Sequence, residues 1–340
     1  MLRILSLPIR VLWAKVKKRF GKLEKAKLEV FLAFGNENEL YIKGRVVEAY
    51  KQSIPSPKKT SLQNILAAMR RYAGSSIPEV EVMMEVGSIR KTLTTNEEGI
   101  FDAHLLVENE NVKTAYFKIL PDEGILPEKE EVSASLSCYP SQTESGIISD
   151  IDDTILISHA TKIGKKFWLS VSKNSYTRRP FPGVSEFYKF LNMGGKVPVF
   201  YVSSSDWNLF DLIYDFLVFR NIPNGPLLLK DLHVNLKNIW KSGGGDHSHK
   251  MEKIDLLMGL YPKMTFILVG DSGQHDPELY AQVIEKHPGR VKAVYIRRIG
   301  KLSPEREQIL GKYEPEIDVA WVKDTKEALE HARENMPLSK

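Results

Sequence analysis

The 340-residue sequence has one cysteine, Cys138, so no internal disulfide can staple the chain. A reducing compartment suits it. Also absent is any run of about 18 uncharged apolar residues, the length a transmembrane helix needs. Basic residues are scarce relative to acids once the first 27 positions are set aside: 39 Lys and Arg face 42 Asp and Glu. A body of that charge is not built to coat nucleic acid. No GxxxxGK[ST] or GxGxxG pattern follows an apolar strand, which removes nucleotide cradling.

The positive charge sits in one segment. Residues 1–27 carry nine Lys and Arg against Glu24. Arg10 interrupts the apolar run and no small-residue cleavage site follows, unlike a secretion signal. Read as a helix from Val11, the residues Leu12, Val16 and Phe20 share one face with Trp13 beside them, while the cations take the other. Two readings stay open: an interfacial anchor on anionic lipid, which would place residues 1–25 on a membrane, or a helix docked on its own protein.

From residue 28 to about 140, seven short alternating runs (LEVFLAF, ELYIKGRVVEAY, VEVMMEV, IRKTLTT, IFDAHLLV, VKTAYFKIL and EVSASLSC) predict an antiparallel sandwich or barrel. A helix capped by Ser61 and ended by Gly74 interrupts them. No chemical cluster appears in this module, which reads as a docking element or as support.

Residues 145–340 change rhythm. Apolar strands at 146–149, 197–202, 226–229, 265–269, 291–296 and 319–322 alternate with helical patterns at 184–193, 207–220, 250–260, 277–286, 304–310 and 326–334. This predicts an α/β fold with a doubly wound parallel sheet, following a β-sandwich-like domain. Ligands of such sheets bind beyond the strands' carboxyl ends.

The first of these strands runs into SDIDDT, which supplies Asp150, Asp152, Asp153 and Thr154; the fourth runs into Gly270 and Asp271, with Asp276 five residues on. Carboxylates gathered from two strand tips would repel one another, and all-oxygen ligation of a hard cation such as Mg²⁺ would relieve this. Ser203 ends the strand VPVFYVS, placed to donate to a bound anion, while Ser205 or Asp206 reads as the N-cap of the next helix. Lys250 opens a helix, where its charge opposes the dipole, and a phosphoryl oxygen is a partner that would reward it there. Arg297 and Arg298 end a strand on the same edge, facing phosphate or solvent. His247 and His249 read as a solvated loop rather than a transition-metal site, and Asp153 as local structure.

In that order, DxDxT, strand-tip Ser, Lys before a helix and GDxxxxD strongly resemble the haloacid dehalogenase superfamily of phosphohydrolases. SDIDDTILIS, RPFPGVSEFY, YVSSSDWNLF and FILVGDSGQHDPELYAQVIEKHPGRVKAVYIRRI narrow the resemblance to the catalytic domain of the Mg²⁺-dependent phosphatidate phosphatases associated with actin patches, over about residues 145–300. The resemblance implies Asp150 as nucleophile, Asp152 as general acid and then base, and Thr154 as support for their loop. It implies Mg²⁺ held by Asp150, Asp271 and the Asp152 carbonyl with Asp276 ordering the set, and Ser203 and Lys250 binding the phosphoryl group. The expected protein is a cytoplasmic hydrolase of lipid metabolism, attached peripherally to a membrane, with a phosphorylated lipid as substrate. A phosphoprotein or a soluble phosphomonoester is the alternative substrate; a metal-binding scaffold or a receiver-like phosphoacceptor is the alternative class. The spacing leaves no room for a large cap domain, so a bulky substrate fits, with Lys165, Lys166, Phe167, Trp168, Arg178 and Arg179 either at its headgroup or in a half-buried loop.

Overall fold

The computed structural model describes residues 25–49, 76–108, 112–122, 124–155, 181–230, 248–300 and 303–335. The amphipathic segment up to residue 24, the Ser61 helix, the basic and aromatic run 165–179, His247 and the stretches bearing on a cap lie outside them. The described residues fall into two compact units that part between Pro140 and Ser141.

The first unit is built from β1 (Ala26–Gly35), β2 (Glu39–Glu48), β3 (Glu81–Val86), β4 (Ile89–Thr94), β5 (Ile100–Leu106), β6 (Thr114–Ile119), β7 (Val132–Ser135) and β8 (Ser137–Cys138). They form two four-stranded sheets, ordered β5-β2-β1-β8 and β4-β3-β6-β7. Alternation sets the inward face: Val82, Met84 and Val86 of β3 are buried opposite Ile119, Phe117 and Ala115 of β6. Leu40, Ile42 and Phe101 from the other sheet join the same core.

The second unit contains β9 (Ser145–Ser149), α1 (Val184–Asn192), β10 (Val199–Asp206), α2 (Phe210–Phe219), β11 (Leu227–Lys230), α3 (Ser248–Leu260), β12 (Thr265–Asp271), α4 (Asp276–Lys286), β13 (Val291–Arg297), α5 (Pro304–Gly311), β14 (Asp318–Val322) and α6 (Thr325–Asn335). Its strands make one parallel sheet in the order β11-β10-β9-β12-β13-β14. Central β9 buries Gly146 to Ser149 without alternation, as a strand covered on both faces does. Helix α1 turns Val184, Phe187, Tyr188 and Leu191 inward at helical spacing and meets α6, while α4 meets α3 and α5.

Two expectations are corrected. The fold class expected from the sequence, a haloacid dehalogenase-like doubly wound sheet with an antiparallel sandwich before it, gives way to three sheets: one mixed, one antiparallel and one parallel. In the mixed sheet β8 lies parallel to β1, pairing Phe34 with Ser137 and Gly35 with Cys138. Period-two alternation reports which face of a strand is buried and is silent about its partner and direction, and a two-residue strand carries no pattern at all. Second, β10 runs past its expected end at Ser203, through Asp206, and a 3₁₀ turn at Trp207–Leu209 precedes α2, so neither Ser205 nor Asp206 caps that helix.

Candidate active site

The chain progresses outward from β9 to β11 and then returns to β12 on β9's other side, leaving a crevice at the carboxyl ends of β9 and β12. Asp150 follows β9 directly, its amide donating to Val269 O on β12 at 2.9 Å. Asp271 ends β12 and Asp276 begins α4. One oxygen from each of these three buried carboxylates lies within 4.8 Å of the others.

Lys250, in the first turn of α3, reaches into the cluster and is only 4% exposed. Its Nζ donates to Asp150 Oδ1 and to Asp276 Oδ1, both at 2.8 Å. This accounts for a cation at a helix start: two carboxylates at contact distance outweigh the dipole of one turn. Burial works against its charge, yet Asp150 and Asp276 prevail and hold its pKa above the ordinary lysine value.

The remaining contacts divide the carboxylate oxygens into engaged and open ones. Asp276 Oδ2 accepts the Asp271 amide at 3.1 Å, so both Asp276 oxygens are in use. Asp271 Oδ1 accepts the amides of Gly273 and Gln274 at 2.6 and 3.0 Å, an Asx-type turn. Among the described residues, Asp271 Oδ2 has only Gln274 Nε2 at 3.4 Å, and Asp150 Oδ2 only Thr154 Oγ1 at 3.5 Å. Burial first, and then the neighbouring Asp276, push the Asp271 pKa up to about 8. Burial also raises Asp150 well above the usual carboxylate range; Lys250 opposes this, while Asp276, Asp271 and Asp152 add to it. Three buried acids around one ammonium are short of positive charge, and an all-oxygen donor set of this kind fits a hard divalent cation.

Asp152 stands apart from the triad and half-buried. Its Oδ2 accepts from Ser205 Oγ at 2.9 Å and from Ser203 Oγ at 3.3 Å, and its carbonyl accepts Gln274 Nε2 at 3.1 Å. Asp153 is buried with φ at 58°, a left-handed conformation that aspartate tolerates better than most residues. The structure thus gathers Asp150, Thr154, Lys250, Asp271 and Asp276 directly, with Asp152 and Ser203 as a second, linked pair. Lys250 and Ser203, expected at a phosphoryl group, each donate here to carboxylates of this site. Arg297 is buried, bonded to Thr325 Oγ1 with its guanidinium over the Phe181 ring at 3.7 Å; Arg298 pairs with Glu307 at the surface. His249 lies in the first turn of α3, not in a loop.

Sequence reasoning misses two contributors: Ser205, which the cap reading absorbs, and Gln274, inside GDSGQHD.

Residues 145–298 match the family described as phosphatidate phosphatase APP1, catalytic domain, and this part of the chain is similar to that family. One relative is Phosphatidate phosphatase APP1 of Saccharomyces cerevisiae, 34% identical over 159 residues, which are 47% of this chain and 27% of that protein. An uncharacterized protein of Schizosaccharomyces pombe is 24% identical over 263 residues, 74% of this chain and 41% of that one. The chain therefore spans well under half the length of these relatives. Among solved structures, the carbohydrate acetylesterase XAC1771 from Xanthomonas citri aligns over 87% of this chain and 68% of its own with a TM-score of 0.32 and 9% identity. A putative beta-galactosidase from Bacteroides fragilis aligns over 88% and 48% with a TM-score of 0.25 and 8% identity. Likenesses that weak bear on neither fold nor chemistry.

Proposed function

We propose that the chain is a phosphoric monoester hydrolase that converts phosphatidate to diacylglycerol and phosphate with Mg²⁺, through an aspartyl-phosphate on Asp150. The observation carrying this reading is that, among the described residues, Asp150 Oδ2 and Asp271 Oδ2 have no short hydrogen bond and belong to the two carboxylates assigned to the metal, while both oxygens of Asp276 are engaged. Asp150, Asp271 and the Asp152 carbonyl would hold Mg²⁺. Bound there, the ion supplies charge that neutralises carboxylate and phosphoryl oxygens.

Asp150 attacks phosphorus, and the bond from phosphorus to the glycerol oxygen breaks as the new acyl phosphate bond forms. Asp152 gives its proton to the departing oxygen, then removes one from the water that attacks phosphorus and restores the Asp150 carboxylate. Ser203 and Ser205 fix the Asp152 carboxylate by donating to Oδ2. Lys250 opposes the protonation that burial favours at Asp150 and, with Ser203, faces the phosphoryl group as it transfers. The chain is organised as the basic segment 1–27, a β-rich module over 28–140 and a phosphatase domain over 145–340. The basic segment adds affinity for an anionic membrane, where the lipid substrate resides. Among the described residues no helix is long and apolar enough to cross a membrane, in keeping with attachment to one leaflet.

Phosphate release by the purified chain is to be measured with phosphatidate in mixed micelles, with p-nitrophenyl phosphate and with a phosphopeptide, each with Mg²⁺. Phosphatidate is the preferred substrate, and Asp150→Asn lowers turnover at least about a thousandfold with an unchanged circular dichroism spectrum. Retained turnover overturns the mechanism, and preference for a soluble ester or a phosphopeptide overturns the substrate.

A further inference from the structure

Asp271 and Asp276 are joined by the turn at residues 272–275, and the position of that turn decides where the Asp271 carboxylate points. Two of its amides, from Gly273 and Gln274, hold Asp271 Oδ1. The Gln274 side chain crosses the crevice to the Asp152 carbonyl at 3.1 Å. Two of the turn's own carbonyls are fastened from outside the cluster by a single side chain. Arg306, in the first turn of α5, donates through Nη1 to Ser272 O at 2.6 Å and through Nη2 to Gln274 O. The same guanidinium forks onto Glu278 of α4, Nε to Oε1 at 2.8 Å and Nη2 to Oε2 at 3.0 Å. Such a fork fixes the guanidinium plane as well as its position.

We infer that Arg306 is a positioning residue of the metal site: by clamping the 272–275 turn to α4, it sets the Asp271 carboxylate and the Gln274 bridge to Asp152 at the spacing a divalent cation requires. The inference rests on the metal reading of the cluster and does not depend on which phosphate ester is the substrate. Arg306 lies beyond the family-matched segment 145–298. It touches none of the three clustered carboxylates, so its influence passes through the turn. Lysine cannot replace it in full, because a single ammonium cannot present the planar fork and two further donors together.

Mn²⁺ binding to the full chain, followed by electron paramagnetic resonance, tests this without reference to turnover. Arg306→Ala raises the Mn²⁺ dissociation constant about 10- to 100-fold, the usual effect of losing an outer partner of a metal ligand, and Arg306→Lys falls between. Lys312→Ala is the control. Lys312, just past α5, bonds Glu285 of α4 at 2.7 Å, tying the same two helices together without touching the turn. It leaves Mn²⁺ affinity within about twofold of the parent. Kinetically, Arg306→Ala raises the Mg²⁺ concentration for half-maximal activity while turnover at saturating Mg²⁺ stays within about threefold, a split that general loosening would not give. If Arg306→Ala does not fold, Glu278→Gln, which weakens the fork but keeps its shape, shifts Mn²⁺ binding in the same direction. Unchanged Mn²⁺ affinity in a folded Arg306→Ala or, failing that, in Glu278→Gln, or an equal shift in Lys312→Ala, overturns the inference. A parent protein that binds Mn²⁺ yet leaves phosphatidate intact removes only the substrate reading.

Discussion

Replacing Lys250 with methionine keeps the length of the side chain and deletes its charge. The ammonium makes two 2.8 Å contacts to Asp150 and Asp276, and all three side chains are at least 95% buried. Removing one member of such a set strands the others, at a cost of about 3 to 5 kcal/mol. In the unit Ser141–Lys340 each kcal/mol moves the melting temperature by about 2 to 4 °C, so Lys250→Met should melt roughly 6 to 20 °C below the parent. The loss depends on pH with a definite sign. Lys250 has a raised pKa in the fold, so its contribution is fully present below the unfolded lysine value and constant from pH 5 to 8. Burial raises Asp150 and Lys250 opposes it; without the lysine, Asp150 moves higher still and takes up a proton as pH falls, which relieves the stranded charge. Melting with a chelator present should therefore show a larger deficit at pH 8 than at pH 5. A deficit under about 2 °C at pH 8, or a larger one at pH 5, refutes the reasoning.

A Cβ at Gly270 would lie 2.6 Å from Asp276 Oδ2 and 2.9 Å from Tyr280 Cε2. Gly270→Ala should thus destabilise the fold by about 1 to 3 kcal/mol and weaken Mn²⁺ binding together, and a thermal melt with normal Mn²⁺ affinity contradicts this. Ser205→Ala removes the 2.9 Å bond to the proposed general acid, worth about 1.5 to 3 kcal/mol to a charged partner. Turnover of phosphatidate should fall about 10- to 100-fold and that of p-nitrophenyl phosphate, whose leaving group needs no proton, much less. Asp271, raised to about 8 by burial and Asp276, must shed its proton to bind a cation. A carboxyl held protonated by the fold stabilises the metal-free protein at low pH, and that stability is lost as pH rises from about 4 towards the folded value. Calorimetry in buffers of different ionisation enthalpy should show proton release on Mg²⁺ binding at pH 7, and a larger Mg²⁺-induced rise in melting temperature at pH 8 than at pH 6.

Much of the second unit was legible because burial there is read from local pattern. Strand and helix positions came within a few residues of those observed, except at β10, where Ser205 and Asp206 look like a helix cap and are in fact strand. The Ser205 side chain serves a neighbour rather than a helix end: it reaches Asp152, more than fifty positions away in the chain. No local rule can see that partner. Sheet pairing was opaque for the same reason, as the parallel contact of β8 with β1 shows.

The acidic cluster shows where motif spacing stops and geometry begins. Spacing brings Asp150, Asp271 and Asp276 to one strand edge, yet it ranks them equally. What separates them is which oxygen already has a proton donor. Asp276 begins a helix and lies one turn of chain from the Asp271 amide, so one oxygen folds back on the backbone and the other takes Lys250. Asp271 spends Oδ1 on the turn that Arg306 holds, which leaves Oδ2 with a single long contact. Asp150 gives Oδ1 to Lys250 and leaves Oδ2 almost bare. A buried carboxylate oxygen with one long contact is costly to keep anionic, and among the described residues two such oxygens belong to carboxylates that the fold already pushes towards protonation. A divalent cation between them would convert that cost into binding energy, so the instability of the metal-free cluster and its affinity for metal are two expressions of one arrangement.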